Sequence, residues 1–351
     1  MFKKSPLWAA LFVAATLLGG AQQALAQDQV LNLYSARHYQ TDEALYSNFT
    51  KATGIKINRV DADDAGILAR LKAEGTASPA DVIMLVDVAR LWKGDTEGLF
   101  MPIKSPMLEK AIPVALRAKA TSNGTTWFGF STRARVMVYD KVKVKKTDID
   151  TYEELADPKN KGLVCTRSGS HPYNLSLFGA VAEQIGDVKT EAWLKGINDN
   201  MARAPKGGDT DQIRAVAAGE CGIAVTNSYY VARLMRSDKP EDKAVMDKVA
   251  VVFPNQASWG THMNVSGAAL AKNAKNTANA VKFMEYLASP AAQDYFANGN
   301  NEYPTVVGIT LNNKALADMS GGSFKQESRP VAAIGASQVK IQQMLDRVGY
   351  K

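Results

Sequence analysis

The chain has 351 residues, with 42 lysines and arginines against 35 aspartates and glutamates, a formal net charge of +7 and no basic run. A modest positive excess that is spread along the chain argues against a nucleic-acid-binding protein. The sequence has two cysteines and three histidines, but neither a Cys-x-x-Cys pair nor a His-rich tract, which excludes thiolate zinc sites.

The N-terminal segment has the pattern of a secretory signal peptide. Lys3 and Lys4 precede an apolar run over residues 7–18, and Ala24-Leu25-Ala26 forms a small-residue cleavage site. The run is shorter than the ~20 residues that a membrane-spanning helix needs. We therefore predict that residues 1–26 are removed on export. The remaining chain, of about 325 residues, is long enough for two lobes with separate cores.

Short β-branched runs alternate with segments of helical periodicity through most of the mature chain. This alternation predicts an α/β fold with mostly parallel sheets covered by helices on both faces. The predicted strands are residues 30–34, 55–60, 81–85, 135–139, 163–166 and 222–226. The predicted helices are residues 42–52, 65–73, 210–218, 229–235, 277–287 and 337–348, with another helix starting at Pro290. No flexible linker separates two lobes, so we expect the chain to cross between them on strands and to leave a cleft.

The two cysteines, Cys165 and Cys221, are candidates for a disulfide because exported proteins mature in an oxidising compartment. Such a bridge would contribute roughly 4 kcal/mol in the chain-entropy model. A pair of buried free thiols is the alternative that the sequence leaves open.

Motifs of enzymes are not supported by their surroundings. Ser168-Gly169-Ser170 lacks the Gly-x-Ser-x-Gly frame of a nucleophile elbow, and Gly207-Gly208 has no Walker lysine or dinucleotide fingerprint around it. The three histidines form no metallohydrolase pattern. We therefore expect a binding protein rather than an enzyme.

Tyrosines fall at the ends of predicted strands. Tyr39 follows the first strand, Tyr173 follows the strand at 163–166, and Tyr229 and Tyr230 follow the strand at 222–226. In open parallel sheets the ligand crevice lies outside the carboxyl ends of the strands, so these turns can converge on one cleft. A Tyr-Tyr pair alone is weak evidence, because two aromatic residues often cap a helix.

Clustered phenolates favour one metal in particular. Phenolate oxygen is a hard anionic donor and Fe(III) is a hard, highly charged acid, whereas softer metals prefer cysteine or clustered imidazoles. Three or four phenolates would make the centre neutral or singly negative. Arg37, Arg133 and Arg233 are candidates to balance that charge, and a solvated surface position is the alternative for each.

The chain resembles the periplasmic ferric-iron-binding proteins of ABC transporters, the bacterial transferrins, and in particular their anion-independent, tyrosine-rich branch. The segments that carry the resemblance cover nearly all of the mature sequence. ELADP and EYP occur in many solute-binding proteins, whereas SARHY combined with NSYY is more specific. The matching segments are YSARHYQTD, YEELADPKNKG, TRSGSHPYN, GGDTDQIRAVAAGECGIAVTNSYYVARL and NNEYPTVVG.

The resemblance implies a two-lobed periplasmic solute-binding fold, hinged on two crossover strands. We assign residues 27–130 with 257–310 to the N-terminal lobe and residues 131–256 with 311–351 to the C-terminal lobe. The resemblance also implies a monomer that binds Fe(III) and delivers it to an ABC-type permease in the inner membrane. Fe(II) remains open as a second ligand. The implied metal ligands are Tyr39, Tyr173, Tyr229 and Tyr230, with His38 as a further candidate and the place of a water or anion left open.

Some neighbouring residues are left outside the predicted ligand set. We expect Tyr34 to pack or to line the wall, Tyr303 to pack on the hinge side, and His171 and His262 to be loop or packing histidines. The alternative function is a solute-binding protein of the same fold for an anion or a polyamine. An anion would be bound by residues 168–170, by Arg133 and by the helix start after Gly207-Gly208, with the tyrosines as walls.

Overall fold

A computed structural model of the chain describes residues 29–37, 39 and 41–351. The predicted signal peptide and the candidate ligand His38 lie outside the described residues. The described residues contain strands β1 to β10, which are Val30–Ser35, Lys56–Asp61, Val82–Leu85, Phe100–Met101, Trp127–Asp140, Val164–Cys165, Ile223–Asn227, Val249–Val252, Met263–Ala271 and Tyr303–Pro304. No described helix is both long enough and apolar enough to cross a membrane.

Helices cover the strands in the α/β manner that the sequence predicts. In chain order, α1 to α14 are Asp42–Thr53, Asp64–Glu74, Val88–Thr96, Pro106–Ala111, Pro172–Ile185, Asp187–Asp199, Asp209–Ala217, Ser228–Met235, Pro240–Lys248, Thr277–Leu287, Pro290–Asn300, Lys314–Ser320, Val331–Ala336 and Gln338–Val348. Short 3-10 helices occur at Gly75–Ala77, Val114–Leu116, Lys146–Asp148, Glu153–Ala156 and Pro158–Asn160.

The strands form one continuous mixed sheet in the order β2-β1-β3-β9-β5-β7-β6. β1 is parallel to β2 and β3, and β6 is parallel to β7, whereas β9 runs antiparallel to β3 and β5. We call the part built on β1 to β4 the first lobe and the part built on β6 to β8 the second lobe.

The long strand β5 belongs to both lobes. Its first half, from Trp127 to Ala134, pairs with β9, and its second half, from Arg135 to Asp140, pairs with β7 and β8. β9 follows β8 along the chain and pairs with β3 of the first lobe. β5 and β9 are therefore the two crossover strands, and the cleft between the lobes lies over them.

Each lobe has its own apolar core. Phe49, Phe128 and Phe283 pack in the first lobe, and Tyr152 and Phe178 pack in the second. A further apolar cluster at the junction includes Ile334 of α13 and Ala180 of α5 together with first-lobe residues. The α/β fold and the two-lobe arrangement predicted from the sequence are thus present.

The two cysteines form a disulfide within the second lobe. Cys165 at the end of β6 is bonded to Cys221, just before β7, with the Cα atoms 5.9 Å apart. That separation is in the ordinary range for a disulfide. The bridge joins the two neighbouring strands whose carboxyl ends lead to Tyr173 and to the Tyr229-Tyr230 pair.

Candidate metal centre

Three of the predicted tyrosines lie together at one edge of the second lobe. Tyr173 is the second residue of α5, and Tyr229 and Tyr230 lie in the first turn of α8. Because β6 and β7 are parallel neighbours, the turns that follow them open at the same edge. The hydroxyls of Tyr173 and Tyr229 are 3.3 Å apart, and the ring centroids of Tyr229 and Tyr230 are separated by 4.2 Å.

The fourth tyrosine reaches the same place from the first lobe. Tyr39 lies between β1 and α1, and its ring centroid is 5.8 Å from that of Tyr229 in an edge-to-face arrangement. Its side chain is largely buried between the lobes. The structure therefore brings all four predicted tyrosines together, in a conformation in which the lobes touch across the cluster.

A buried polar network fixes the two second-lobe helices that carry phenols. Arg135 on β5 donates from Nη1 to Asp209 at 2.5 Å and from Nη2 to Asn174, next to Tyr173, at 2.8 Å. Arg135 Nη1 also donates to Asn227 Oδ1 at 3.1 Å, and the backbone N–H of Asn227 donates to Asp209 at 2.7 Å. Asn227 immediately precedes α8. One ion pair, Arg135 with Asp209, thus sets the relative positions of both helix starts.

A second buried ion cluster holds the loop that carries Tyr39. Arg37 donates from Nε to Asp42 at 2.6 Å and from Nη2 to Glu302 at 2.9 Å. Its guanidinium carbon lies 4.8 Å from the centroid of the Tyr39 ring. Asp42 is the first residue of α1, so the loop is fastened to the helix start that follows it.

Guanidinium groups surround the phenols. The guanidinium carbons of Arg133 and Arg167 lie 5.5 and 5.0 Å from the Tyr173 ring centroid. Arg133 is buried, and Nη1 donates to Ser266 at 2.8 Å, whereas Nε and Nη2 have no hydrogen-bond partner among the described residues. Arg233, by contrast, is solvent-exposed and lies over the Tyr230 ring at 5.5 Å. Of the three arginines predicted to balance charge, Arg37 and Arg133 are buried.

Burial governs the protonation of the phenols. It raises the pKa of Tyr39, Tyr173 and Tyr229 above the ordinary value of a phenol, and the Arg133 guanidinium opposes this rise at each of them. For Tyr39, the Glu302 carboxylate raises the pKa further. These phenols are therefore neutral at pH 7 until a strong Lewis acid or another positive charge displaces their protons.

The cleft beside the phenols measures about 640 Å³ and is lined from both lobes. Asp61, Asp63 and Asp64 form one wall, and Tyr173 and Tyr230 form part of the opposite wall. The cleft is thus open to a small polar solute, and two of the phenols face it.

A family model described as bacterial extracellular solute-binding protein matches residues 44–318. The chain belongs to this family. The cleft between two lobes of a solute-binding protein is where its ligand is enclosed. Here Tyr173 and Tyr230 line that cleft, and Tyr39 and Tyr229 are buried beside them.

Several characterised solute-binding relatives cover almost the whole chain. Iron uptake protein A1 of Synechocystis is 45% identical over 93% of this chain and 88% of its own length. An IdiA (FutA) protein of Trichodesmium, solved in complex with iron and citrate ligands, is 48% identical with a TM-score of 0.85 and covers 92% of this chain and 100% of its own. The ferric binding protein from Campylobacter jejuni has 37% identity and the same TM-score of 0.85, with coverage of 92% and 100%. The resemblance stated from the sequence is confirmed.

His171 is a cleft residue that the sequence analysis set aside. It precedes α5, its Nδ1 accepts a hydrogen bond from the backbone N–H of Tyr173 at 3.2 Å, and its ring lies 4.6 Å from the Tyr173 ring. Burial, followed by the charges of Arg167 and Arg135, lowers the pKa of His171 to about 3, so the imidazole is neutral. The Ser-His-Pro sequence before a helix was the available signal, because such a position can cap the helix.

The tyrosines that were predicted to pack lie outside the cluster. The hydroxyl of Tyr34 donates to both carboxylate oxygens of Glu74, and Tyr303 packs in β10 beside β5 with its ring 5.4 Å from Phe324. His262 is buried and hydrogen-bonded through Nδ1 to Glu327. These residues have packing and hydrogen-bonding roles.

The residues proposed for an anion site do not share one depression. Arg133 is buried beside the phenols, whereas Gly207 lines a separate surface depression with Arg203 and Lys206. The backbone N–H of Gly208, which begins the α7 turn, already donates to Asp211 at 2.7 Å. The four tyrosines form the more complete set of converging groups.

Proposed function

We propose that this protein binds ferric iron in the interlobe cleft through tyrosine phenolates and delivers it to an ABC-type permease. The ligands are Tyr39, Tyr173, Tyr229 and Tyr230, with His38 as the candidate imidazole ligand of the first lobe. The observation that carries the proposal is the convergence of the four phenols from both lobes, with Tyr173 and Tyr229 at 3.3 Å between hydroxyls.

The chemistry of these groups fits Fe(III). A trivalent ion can displace protons from buried phenols that stay neutral in its absence, and four phenolates leave the centre with a single negative charge. Two buried nitrogens of Arg133, Nε and Nη2, have no hydrogen-bond partner among the described residues, and the guanidinium carbon lies 5.5 Å from the centroid of the Tyr173 ring. It supplies the positive charge that offsets the remaining negative charge. Fe(II) would leave the same four phenolates with one more negative charge, so Fe(III) is the better match.

The relatives support the same ligand and setting. Their names describe iron uptake, iron with citrate, and ferric binding, and they align over more than nine tenths of this chain. By analogy we infer a periplasmic, monomeric binding protein without enzymatic activity, whose signal peptide is cleaved after Ala26. We assign residues 27–130 with 257–310 to one lobe and residues 131–256 with 311–351 to the other, with closure of the lobes completing the metal shell.

The test is visible absorbance. Tyrosinate-to-Fe(III) charge transfer colours such a centre red to orange, so the mature protein mixed with ferric citrate should develop a visible band at one iron per chain. The double variant Tyr229→Phe/Tyr230→Phe should lose most of the band and release iron to a chelator. Tyr303→Phe is the matched control, because its buried hydroxyl has no partner in the described chain and lies outside the cluster.

The outcomes separate the two candidate functions. A protein that stays colourless with ferric citrate but shows calorimetric binding of phosphate, sulfate or spermidine would be an anion or polyamine carrier. Unchanged iron binding in the double variant would remove Tyr229 and Tyr230 from the site. A band that depends on His38 as well as the tyrosines would place the imidazole in the shell.

A further inference from the structure

A buried carboxylate away from the phenols joins three elements at the base of the cleft. Asp87, immediately before α3 of the first lobe, is fully buried and accepts the backbone N–H of Ala89 at 2.8 Å. It also accepts the hydroxyl of Ser176 on α5 of the second lobe, at 3.0 and 3.2 Å. The side-chain amide of Asn264 on β9 donates to it at 2.7 Å. One carboxylate therefore contacts both lobes and a crossover strand.

The Asn264 amide has only one orientation that satisfies its surroundings. Its Oδ1 accepts the backbone N–H groups of Val88 at 3.1 Å and Val265 at 2.8 Å, which leaves Nδ2 to donate to Asp87. Asn264 is also the register partner of Arg133 across β5 and β9. Asp87 is thus hydrogen-bonded to Asn264, which lies opposite Arg133, the buried arginine beside the phenols.

Ser176 carries this connection to the metal centre. It lies three residues after Tyr173 on α5, so the two side chains are on the same face of the helix, one turn apart. A hydrogen bond at Ser176 therefore fixes where the first turn of α5, with its phenol, lies relative to the first lobe.

Close packing keeps the same junction rigid. α13 lies against both α3 and α5. A Cβ atom on Gly335 of α13 would come 2.3 Å from Trp92 Cβ, and one on Gly179 of α5 would come 2.3 Å from the Oγ of Ser337, the residue after α13. The glycines therefore let α3 and α5 pack closely against this segment, with no space for a larger side chain at either position.

We propose that Asp87 is a positioning residue for the metal centre, tying α5 and its Tyr173 to the first lobe at the point about which the lobes pivot. The metal-dependent part of this inference rests on the function proposed above, whereas the tie between the lobes does not. An ordinary helix cap would need only the contact with Ala89, which serine or asparagine also provides. The hydrogen bonds from Ser176 and Asn264 to Asp87 are not required for capping α3.

The geometry permits a rescue experiment. Asp87→Asn keeps the shape and the cap but places one amide donor against the Asn264 Nδ2 donor. The double variant Asp87→Asn/Asn264→Asp reverses the polarity of that contact, so that residue 87 donates and residue 264 accepts, while the acceptors for Ala89, Ser176, Val88 and Val265 remain. Ser176→Ala removes only the bond to the second lobe. Ser105→Ala, at a buried serine that caps α4 and bonds Glu285 at 2.7 Å, is the matched control.

Two measurements are made on each variant of the mature protein. The first is amide hydrogen exchange of α5 without iron. The second is the rate at which a chelator removes the charge-transfer band after the protein has been loaded with ferric citrate. In Asp87→Asn we expect faster exchange of α5 and iron release about tenfold faster, because a mismatched buried hydrogen bond costs roughly that factor. Ser176→Ala should show both effects more weakly. The polarity-reversed double variant should return both to within about threefold of the native protein, and Ser105→Ala should alter neither.

Each result supports or overturns a definite part of the inference. Native-like exchange of α5 in both Asp87→Asn and Ser176→Ala overturns the tie, whether or not the protein binds iron. Faster exchange combined with native rates of iron release shows a merely structural carboxylate and overturns the positioning role. A double variant that is no better than Asp87→Asn contradicts the assigned hydrogen-bond polarity. If the native protein shows no iron band, the proposed function is refuted. Amide hydrogen exchange of α5 still tests whether Asp87 connects the two lobes.

Discussion

The two lobes hold their tyrosines in different ways. The second lobe presents Tyr173, Tyr229 and Tyr230 on the first turns of two helices, and the network of Arg135 and Asp209 fixes both helix starts. The first lobe presents Tyr39 on a loop between β1 and α1. The three second-lobe phenols therefore share one rigid support, whereas Tyr39, whose loop is held by the separate ion cluster of Arg37, moves with the first lobe.

This difference suggests a division of labour in the proposed mechanism. The second lobe offers a preformed set of three phenols. Closure of the first lobe adds Tyr39, together with the buried ion cluster of Arg37, Asp42 and Glu302 that holds its loop. A site assembled in two steps can capture its ligand on one lobe and enclose it with the other. The predictions below test whether the rigid half and the movable half differ as this comparison requires.

The largest expected effect comes from the disulfide, which only the second lobe has among the described residues. Reducing Cys165–Cys221, or replacing both cysteines with alanine, should lower the free energy of unfolding by about 4 kcal/mol in the chain-entropy model. Urea unfolding with and without dithiothreitol measures this. Exchange of the β6 and β7 amides should accelerate while β1 and β3 stay protected, and equal acceleration in both lobes would contradict a local role for the bridge.

Replacing Arg135 with methionine should destabilise the iron-free protein by about 3 kcal/mol, because it leaves the buried Asp209 with the 3.2 Å contact to Arg167 as its remaining ion pair, beside the backbone N–H of Asn227. Urea unfolding gives the value. Arg214→Met is the control: its side chain is 47% exposed where it pairs with Asp242, so the loss should stay below about 0.5 kcal/mol. Equal losses in the two variants would show that the Arg135 network does not fasten the phenol helices.

The sequence was sufficient to predict the helices and strand ends that carry the tyrosines, but not the buried polar residues that hold them in place. The helix at 277–287 has the predicted bounds, α1 and α8 differ from prediction by one residue at one end, and α2 and α7 differ by one residue at each end. These segments have regular apolar spacing, and α1 and α2 end at Gly54 and Gly75, which are signals that act locally. The tyrosines could be assigned to one edge because each follows a strand, and strand ends of parallel neighbours meet.

The crossover strands were harder to predict. The prediction at 135–139 covers only the second half of β5, which spans Trp127–Asp140, because Ser131, Thr132 and Arg133 interrupt the apolar pattern although they are buried. β9, with the sequence MNVSGAALA, was not predicted, since glycine, alanine and asparagine have low strand propensity and the strand depends on burial between β3 and β5. Both strands are specified by tertiary packing.

The network behind the phenols could not be predicted for a related reason. Arg135 pairs with Asp209 across 74 positions and with Asn174 across 39, and no local pattern connects them. Buried charges are rare unless they are paired, so Arg135 at the start of the apolar run over residues 135–139 was the signal for a partner elsewhere. Its identity required the fold.

Single tyrosine variants should separate the rigid from the movable half of the site. We expect Tyr229→Phe to weaken ferric-iron affinity about 100-fold, equivalent to about 2.7 kcal/mol, and Tyr39→Phe to weaken it about 10-fold. Tyr229→Phe removes a phenol that binds iron in the first step, on the second lobe alone. Tyr39→Phe removes a phenol that reaches the iron only after the lobes close. Competition with a chelator at pH 7.5 measures both, and Tyr303→Phe should match the native protein. A larger loss for Tyr39→Phe would reverse the proposed order of assembly.

Iron loading should also depend on pH in a defined direction. Burial raises the pKa of Tyr39, Tyr173 and Tyr229, so each phenol must release a proton when it becomes a ligand, and affinity should fall as the pH is lowered. Proton release measured in weakly buffered solution at pH 7 should decrease by about one per iron in Tyr229→Phe. Proton release that is unchanged in this variant would show that Tyr229 does not bind as a phenolate.

A second pH dependence is expected at the first-lobe wall of the cleft. Asp64, half-buried at the start of α2, accepts the backbone N–H of Val86 at 2.8 Å, and burial raises the pKa of its carboxyl to about 7. The pKa in the folded protein is above the unfolded value, so the stability that the neutral carboxyl contributes is complete below about pH 4 and is lost as the pH rises through 7.

Asp64→Asn should therefore be more stable than the native protein at pH 8, with the difference vanishing near pH 4. Asparagine keeps an oxygen for the Val86 N–H, so the hydrogen bond survives the change. Thermal unfolding at several pH values measures the difference. Asp63→Asn is the matched control, because Asp63 is exposed and caps α2 through Gly66 at 2.7 Å, a role that asparagine also fills. A pH-independent gain in Asp64→Asn would mean that the wall carries an ionised carboxylate throughout.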